Sequence, residues 1–286
     1  LTVGDNITLP VYISGGDGND TIRIEGSAAA TIFGGAGDDV IEGGTGDDLL
    51  SGGTGDDTFK FSDDWGQDEL LESTGQGTDT VDFSTIAASL VVSLGDGTSD
   101  GTNTVTHTNN IEHFVGGAGI TDVLRLRDTV SNDISLAGQT FELNGHSVTH
   151  DGFENLHVLM RDAADVLTGT VVIGESLDIA GDLIIETDSL SQRAEISATN
   201  VSFQINNLLD VPQDFDVING SGDLQLIKAT NLHLDAAGGA GYQAIPLLTD
   251  VDYIEVATSG AAAIVIIEAD GLTIADVSIT ATDVAT

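Results

Sequence analysis

Single apolar residues recur at almost regular intervals in the first part of the chain, each followed by a polar, glycine-rich stretch. They are Ile13, Ile22, Ile32, Ile41, Leu50 and Phe59. Each lies in a segment of about three residues in which successive side chains point to opposite faces, as in a β-strand. The pattern therefore predicts short strands that each direct one apolar side chain inward.

The residues between these apolar positions form a second repeat. The segments are GGDGNDTIR (15–23), GGAGDDVIE (34–42), GGTGDDLLS (43–51) and GGTGDDTFK (52–60). The intervening IEGSAAATIF keeps the apolar Ile32 but has Ala30 where the aspartate would stand. This pattern resembles the RTX nonapeptide GGxGxDxUx, a calcium-binding β-helix repeat. The resemblance covers roughly residues 6–64.

The resemblance implies a parallel β-roll in which two nonapeptides form one turn. Loops 18 residues apart would then stack at the strand spacing of about 4.8 Å. The loops on one edge would be 15–20, 34–39 and 52–57. One calcium ion would lie between Asp20 and Asp39, and the next between Asp39 and Asp57.

The opposite edge is less regular in sequence. Asp48 would face the defective loop around Ala30 on one side. On its other side lies FSDDWG, in which Asp63 or Asp64 could substitute for the missing repeat aspartate. We expect weaker calcium sites there.

Calcium takes six to eight oxygen ligands, both carboxylate and carbonyl, and glycines let carbonyls converge in a tight loop. By resemblance, the calcium-binding residues are Gly16, Gly18, Asp20, Gly34, Gly35, Ala36, Gly37, Asp39, Gly44, Gly46, Asp48, Gly52, Gly53, Thr54, Gly55 and Asp57. Several structural calcium ions are expected, and the roll should be loose without them. A solvated Gly/Asp linker is the alternative, but it does not explain the phased apolar position.

The rest of the chain also predicts strands. TVTHTNNIEHFVGGAGITDVL (104–124) resembles SVTHDGFENLHVLMRDAADVL (147–167), and we interpret both as decayed relatives of the coil. Asp122 is a candidate calcium ligand there, and Asp165 a poorer one. Short apolar strands continue to the last residue, which favours a β-helix or β-solenoid. We predict an all-β chain with a β-roll at 1–64, a degenerate repeat-derived β region at 65–169 and a β-helix-like domain at 170–286.

The net charge and the composition exclude some classes of binding partner and site. The formal net charge is −40 with only 7 Lys and Arg. This argues against nucleic acid, whose affinity depends on neutralising phosphates, and against anionic membranes. Cysteine is absent, which excludes disulfides and zinc–thiolate sites. No apolar run reaches the length of about 18 residues that a transmembrane helix needs.

The sequence gives only weak evidence for catalytic or binding residues outside the repeats. GTSDG (97–101) matches G-x-S-x-G, but no helix is predicted after Ser99, so a nucleophile is not expected. His107 and His150 occupy matching places in the internal repeat. We interpret them as solvent-facing strand residues, with a transition-metal site as the alternative. Trp65 is expected to cap the roll, with a carbohydrate platform as the alternative.

The sequence therefore predicts a calcium-stabilised extracellular structural or adhesive module, not an enzyme. We expect it to be a segment of a larger secreted bacterial surface or matrix protein, whose secretion signal lies elsewhere. Its partners would be calcium and copies of itself or a cell-surface glycan. The alternatives are a carbohydrate- or ice-binding module, or the non-catalytic RTX part of an exported enzyme.

Overall fold

The structure is a computed structural model in which every regular element is a strand. It describes residues 1–73, 76–94, 97–107, 110–119, 121–128, 133–143, 146–161, 166–192, 194–208, 226–236, 247–258, 266–268 and 273–279. Within these ranges there is no helix of the length and apolar character that crossing a membrane requires. The all-β prediction is confirmed.

The strands are short in the first half of the chain and longer in the second. The first fourteen are β1 (Thr2–Val3), β2 (Val11–Asp17), β3 (Thr21–Ile24), β4 (Ala30–Ala36), β5 (Val40–Glu42), β6 (Leu49–Thr54), β7 (Thr58–Lys60), β8 (Gln67–Leu70), β9 (Thr80–Asp82), β10 (Val91–Leu94), β11 (Gly97–Ser99), β12 (Thr104–His107), β13 (His113–Val115) and β14 (Val123–Asp128). The others are β15 (Asp133–Ala137), β16 (Thr140–Leu143), β17 (His146–Asp151), β18 (Asn155–Met160), β19 (Thr170–Ile173), β20 (Leu177–Asp178), β21 (Asp182–Gln192), β22 (Ile196–Ser197), β23 (Asn200–Leu208), β24 (Leu226–Ala236), β25 (Leu247–Thr258), β26 (Ile266–Glu268) and β27 (Thr273–Ile279).

The chain divides into two compact units. The first consists of residues 1–125 and 146–153, and the second of residues 126–145 and 154–286. The three sequence-based segments remain a prediction about how the chain is organised.

The first unit is a parallel coil in which two nonapeptides make one turn. Strand β2 pairs with β4, β4 with β6 and β6 with β8, all in parallel. Between them run β3, β5, β7 and β9, which pair in the same way. The parallel β-roll prediction is therefore confirmed.

The predicted apolar positions form two columns in the core of the first unit. One column, read along the strand register, is Ile13, Ile32, Leu50 and Leu70. The other is Ile22, Ile41, Phe59, Val81 and Phe114. These side chains are almost fully buried, so each turn contributes one apolar side chain per strand to a continuous core.

Two histidines continue these columns, and the interpretation of them as solvent-facing is wrong. His107 is in register with Leu70, and His150 with Phe114. Both are buried, and His107 packs against Phe114 with ring centroids 5.2 Å apart. Burial lowers the pKa of His150 to about 4. Both therefore serve as core residues of the coil.

Three aromatic rings fill the interior where the nonapeptides end. Trp65 contacts Phe61 and Phe83, with ring centroids at 6.2 and 5.8 Å, and those two phenylalanines stack at 5.1 Å. Trp65 is only 1% exposed, so its ring cannot act as an open platform for a sugar. The carbohydrate alternative at this residue is thereby wrong.

An antiparallel hairpin interrupts the parallel coil. Strand β11 pairs antiparallel with β10 and with β12. Thr104 and Thr106 of β12 align with Gln67 and Glu69 of β8. The threonines therefore do not form the ranks on successive turns that ice binding would need.

The second unit is a parallel stack of longer strands. Strand β21 pairs with β18 through its first half and with β19 through its second, and β23, β24 and β25 continue the stack. One buried column runs through it and consists of Leu156, Leu183, Val201, Leu232 and Ile254. This arrangement confirms the predicted solenoid-like character.

Amide side chains form the polar ladder of the second unit. Asn155 Oδ1 accepts a hydrogen bond from the Asp182 amide at 2.9 Å. Asn200 donates to Asp182 Oδ1 at 2.6 Å, and Asn231 donates to Asn200 Oδ1 at 2.6 Å. Because amides both donate and accept, Asn200 and Asn231 link successive strands of this stack by hydrogen bonds.

Candidate metal centre

Acidic side chains on one edge of the first unit form a ladder between successive turns. Asp39 Oδ1 accepts a hydrogen bond from the Asp20 amide at 2.7 Å, and Asp57 Oδ1 accepts one from the Asp39 amide at 2.8 Å. Asp79 Oδ1 bonds the Asp57 amide at 3.0 Å, and Glu112 Oε2 bonds the Asp79 amide at 2.8 Å. The predicted stacking of these loops on one edge is confirmed, and the ladder extends beyond the repeats.

The opposite edge has a shorter ladder. Asp48 Oδ1 accepts from the Ala30 amide at 2.6 Å, so the defective loop faces Asp48 as predicted. On the other side the Asp48 amide donates to Asp68 Oδ1 at 2.8 Å. The expectation that Asp63 or Asp64 substitutes here is wrong, since both are exposed. Asp64 instead has a positive φ of +62°, and the second glycine of each repeat also has a positive φ.

The first glycine of each repeat makes room for the aspartate of the same repeat. A Cβ at Gly34 or Gly52 would overlap Oδ2 of Asp39 or Asp57, and a Cβ at Gly43 would overlap Oδ2 of Asp48. The motif spacing therefore has a steric cause, because the carboxylate occupies the space that a side chain would need.

The other glycines adopt a positive φ or allow the backbones of successive turns to approach each other closely. The second or fourth glycine of a repeat has positive φ at Gly16, Gly18, Gly35, Gly37, Gly44, Gly53 and Gly55. A Cβ on Gly46 would lie 2.7 Å from the Ala28 carbonyl oxygen. Turns thus stack too closely for a side chain between them.

Ala36 and Thr54 lie in register at the third position of their loops. The Ala36 carbonyl accepts from the Gly18 amide at 2.6 Å, and the Thr54 carbonyl from the Gly37 amide at 2.7 Å. Each carbonyl oxygen has a second lone pair, so these bonds leave capacity for a cation.

The residues of the ladder fit a hard cation. Asp39, Asp48 and Asp57 are at most 4% exposed, and Oδ2 of each has no hydrogen-bond partner within the described part of the chain. An ionised carboxylate buried without a partner is costly, and a bound cation is one way to compensate it. Carboxylate and carbonyl oxygens are the ligands that calcium prefers. The predicted ligands Asp39, Asp48 and Asp57 therefore have the environment that calcium would stabilise.

Burial raises the pKa of several of these carboxyl groups. The pKa rises to about 6 for Asp48 and Asp57, to about 7 for Glu72 and to about 8 for Asp68. Burial also raises the pKa of Asp79. Backbone hydrogen bonds lower these pKa values and neighbouring carboxylates raise them, each by less than burial does.

These shifts predict how the stability of the calcium-free protein depends on pH. Because the folded-state pKa values lie above the unfolded ones, the groups stabilise the fold at low pH and lose this contribution as the pH rises through about 6 to about 8. We expect the free energy of unfolding in chelator to be lower at about pH 8.5 than at about pH 6.5. His150, whose pKa falls to about 4 on folding, opposes this by only about 0.4 kcal/mol, because its unfolded form is half protonated near pH 6.5. Urea unfolding at both values measures this. Equal or greater stability at the higher pH would contradict it, and calcium should reduce the difference.

Four acidic residues of the ladders were missed by the sequence interpretation, namely Asp68, Glu72, Asp79 and Glu112. The signal for two of them is in the sequence. DDWGQDELL (63–71) and TGQGTDTVD (74–82) retain the fourth-position glycine, the sixth-position aspartate and the eighth-position apolar residue. Glu72 has no counterpart in the nonapeptide, and only the fold places it near the loop at 52–57.

Asp122 and Asp165 are the candidate ligands of the decayed repeats. Asp122 is fully buried, and its Oδ1 accepts from the Leu90 amide at 2.9 Å. A Cβ on Gly117 would come within 2.9 Å of its Oδ2, which is the relation that Gly34 has to Asp39. Calcium at Asp122 remains a prediction. Asp165 lies outside the described residues.

Ser99 belongs to a tight turn. Its hydroxyl donates to the Asn103 carbonyl at 2.9 Å and accepts from the Gly101 amide at 2.9 Å. Strand β12 follows it in place of the helix that carries the nucleophile in an esterase. These contacts give Ser99 a structural function.

Comparison with known proteins agrees with this geometry. A family model for the RTX calcium-binding nonapeptide repeat matches four copies, at residues 12–23 and 26–59. No curated protein matches the chain. The glycine contacts of the repeats and the ladder carboxylates Asp39, Asp48 and Asp57 lie within the matched residues. Residues 12–23 and 26–59 are therefore RTX calcium-binding nonapeptide repeats, which bind calcium ions as structural cofactors.

Proposed function

We propose that this chain is a calcium-stabilised structural or adhesive module of a larger secreted bacterial surface or matrix protein. The observation that carries the proposal is the buried ladder of Asp39, Asp48 and Asp57, each with one carboxylate oxygen that lacks a hydrogen-bond partner among the described residues. A coil with such a ladder becomes rigid where calcium is abundant. RTX repeats are typical of secreted bacterial proteins, and they are typically non-catalytic modules.

The ligands we propose for the structural ions are the residues predicted from the repeats. On one edge these are Asp20, Asp39 and Asp57, and on the other Asp48, with carbonyls of the glycine-rich loops. Extracellular calcium modules bind with a Kd of about 10⁻⁴–10⁻³ M. Occupancy would then follow the difference between calcium inside and outside the cell.

We further propose that copies of the module associate through the first turn of the coil. This turn carries exposed large apolar side chains, namely Leu1, Ile7, Leu9 and Tyr12. Most of β2 is also exposed, whereas β4, in the same register, is mostly covered. Exposed strands with apolar side chains favour pairing with another chain. A second copy of the module would cover this surface.

Light scattering and negative-stain microscopy of the purified chain test this proposal, first in millimolar calcium and then in chelator. We expect calcium-dependent particles larger than a monomer, and fewer of them for Leu9→Ser. Leu71→Ser is the matched control, because Leu71 is 40% exposed but lies away from the first turn. Elongated monomers in calcium would contradict self-association but not calcium binding. An unchanged molecule in both conditions would contradict the whole proposal.

The alternative functions have less support from the geometry. Burial of Trp65 removes its use as a sugar platform, and Thr104 and Thr106 have no threonines beside them on β8. A role as the non-catalytic RTX part of an exported enzyme would depend on adjoining sequence. The structural module therefore remains the function we propose.

A further inference from the structure

We propose that Glu72 and Asp79 join Asp57 in a calcium site beyond the last matched nonapeptide. The matched residues end at 59, so Glu72 and Asp79 lie outside the matched repeats, and Glu72 occupies no position of the nonapeptide. This inference rests on the proposed calcium-binding function and extends it to a site with a different ligand set.

The fold brings the three residues to one place from different stretches of the chain. The register of β7 and β9, which pairs Thr58 with Thr80, puts Asp57 beside Asp79. The Asp57 amide donates to Asp79 Oδ1 at 3.0 Å. The Gly52 amide, in the same loop as Asp57, donates to Glu72 Oε1 at 2.5 Å. Hydrogen bonds to backbone amides thus hold two of the carboxylates in position.

The three carboxylates are mutually close and shielded from water. One oxygen from each lies within 4.8 Å of the corresponding oxygens of the other two. The residues are 1% exposed for Asp57, 5% for Glu72 and 1% for Asp79. Like charges at such distances repel strongly in a buried environment. A divalent cation among them would convert that repulsion into attraction.

Asp57 supplies an independent indication of a ligand. Its Oδ1 accepts the Asp39 amide at 2.8 Å, whereas its Oδ2 is buried without a hydrogen-bond partner in the described part of the chain. That Oδ2 lies where a Cβ of Gly52 would be, and Gly52 is the residue that binds Glu72. The partnerless oxygen therefore lies against Gly52, whose amide also holds the Glu72 carboxylate.

The ligand chemistry indicates calcium. Three carboxylates are hard oxygen donors, and calcium accepts irregular sets of six to eight such ligands at flexible angles. Affinity for calcium rises with the number of charged ligands. Because Glu72 adds a third carboxylate, this site should bind calcium more tightly than a site between Asp39 and one neighbouring aspartate. It would also attach the segment before β9 to the repeats.

Calcium titration of the whole chain, followed by native mass spectrometry and calorimetry, tests the site with calcium alone as the probe. Glu72→Gln keeps an oxygen that can accept from Gly52 but removes the charge. We expect it to lose one bound ion, or to bind that ion about tenfold or more weakly. The matched control is Glu69→Gln, because Glu69 is exposed on β8, only three residues away. Circular dichroism in calcium verifies that each variant is folded.

The outcomes separate this site from the repeats. Equal stoichiometry and affinity for Glu72→Gln and Glu69→Gln, while the wild type binds calcium, would overturn the site but leave the proposed function intact. If Glu72→Gln does not fold, Asp79→Asn takes its place, with the same loss expected. A wild-type chain that binds no calcium would overturn the proposed function itself.

Discussion

Removal of calcium is expected to lower the thermal unfolding midpoint by roughly 10–20 °C. A ligand at ten times its Kd stabilises the folded state by about 1.4 kcal/mol per site, so three sites on one edge contribute about 4 kcal/mol. The loss should be large because Asp39 and Asp57 are each shared by successive turns, so adjacent sites weaken together. Circular dichroism melts in millimolar calcium and in chelator measure the shift.

A pair of variants assigns the calcium effect to the ladder. Asp57→Asn should reduce the difference between the two melts, because Asp57 belongs to the sites on both sides of it. Asp178→Asn removes the same charge from an exposed position on β20 and should leave the difference unchanged. A spectrum and midpoint that do not respond to chelator would show that calcium does not stabilise this fold.

Replacement of Gly35 by alanine is expected to destabilise the first unit by about 4 kcal/mol or more, which is exceptional for one substitution. Gly35 has φ +127°, and a Cβ on it would overlap the Gly16 carbonyl oxygen of the preceding turn. Neither atom belongs to a flexible side chain, so the turns themselves would have to separate. Chemical denaturation in calcium measures the change.

Gly16 provides the matched control for this effect. It has φ +108°, but a Cβ there would have no atom within 4 Å. Gly16→Ala should therefore cost only the backbone strain of a positive φ, roughly 1–2 kcal/mol. The additional loss of unfolding free energy for Gly35→Ala, compared with Gly16→Ala, measures how tightly successive turns stack. Equal costs for both substitutions would contradict the steric explanation.

The nine-residue period predicts the strands and loops, and its resemblance to the RTX repeat predicts the coil. Asp39 and Asp57 are 18 residues apart and bond directly, as two nonapeptides per turn require. Ile32 and Leu50 fall in the same column for the same reason. Strand and loop lie within one period and a turn spans two, so residues close in sequence set the pattern of the coil.

The 18-residue spacing between aspartates of successive turns does not hold where the loops are longer. Asp68 lies 20 residues from Asp48, and Asp79 lies 22 residues from Asp57, yet each bonds its partner as a repeat aspartate does. The additional residues leave the strands in register because β-pairing depends on the strands, and surface loops tolerate insertions. Glu72 matches no motif position, so its approach to Asp57 could not be predicted from spacing.

Residue type also misled the sequence interpretation of the histidines. His107 and His150 are polar, and their repetition suggested a solvent-facing position. Their register with Leu70 and Phe114 puts them in the core columns, where their imidazole rings pack against aromatic rings. Burial of a side chain depends on which residues surround it on neighbouring turns.

By itself, the sequence determined the all-β class, the two-nonapeptide turn, the buried apolar columns and the residue types that suit calcium. The strands and columns follow from periodicity, the loops from the conformations that glycine allows, and the two-nonapeptide turn from the resemblance to the RTX repeat. Only the tertiary structure decided that Asp68 faces Asp48, that Trp65 is buried and that Glu72 meets Asp57 and Asp79. The physical reason is that contacts between turns depend on how strands of unequal spacing align, and alignment is set by packing of the whole coil.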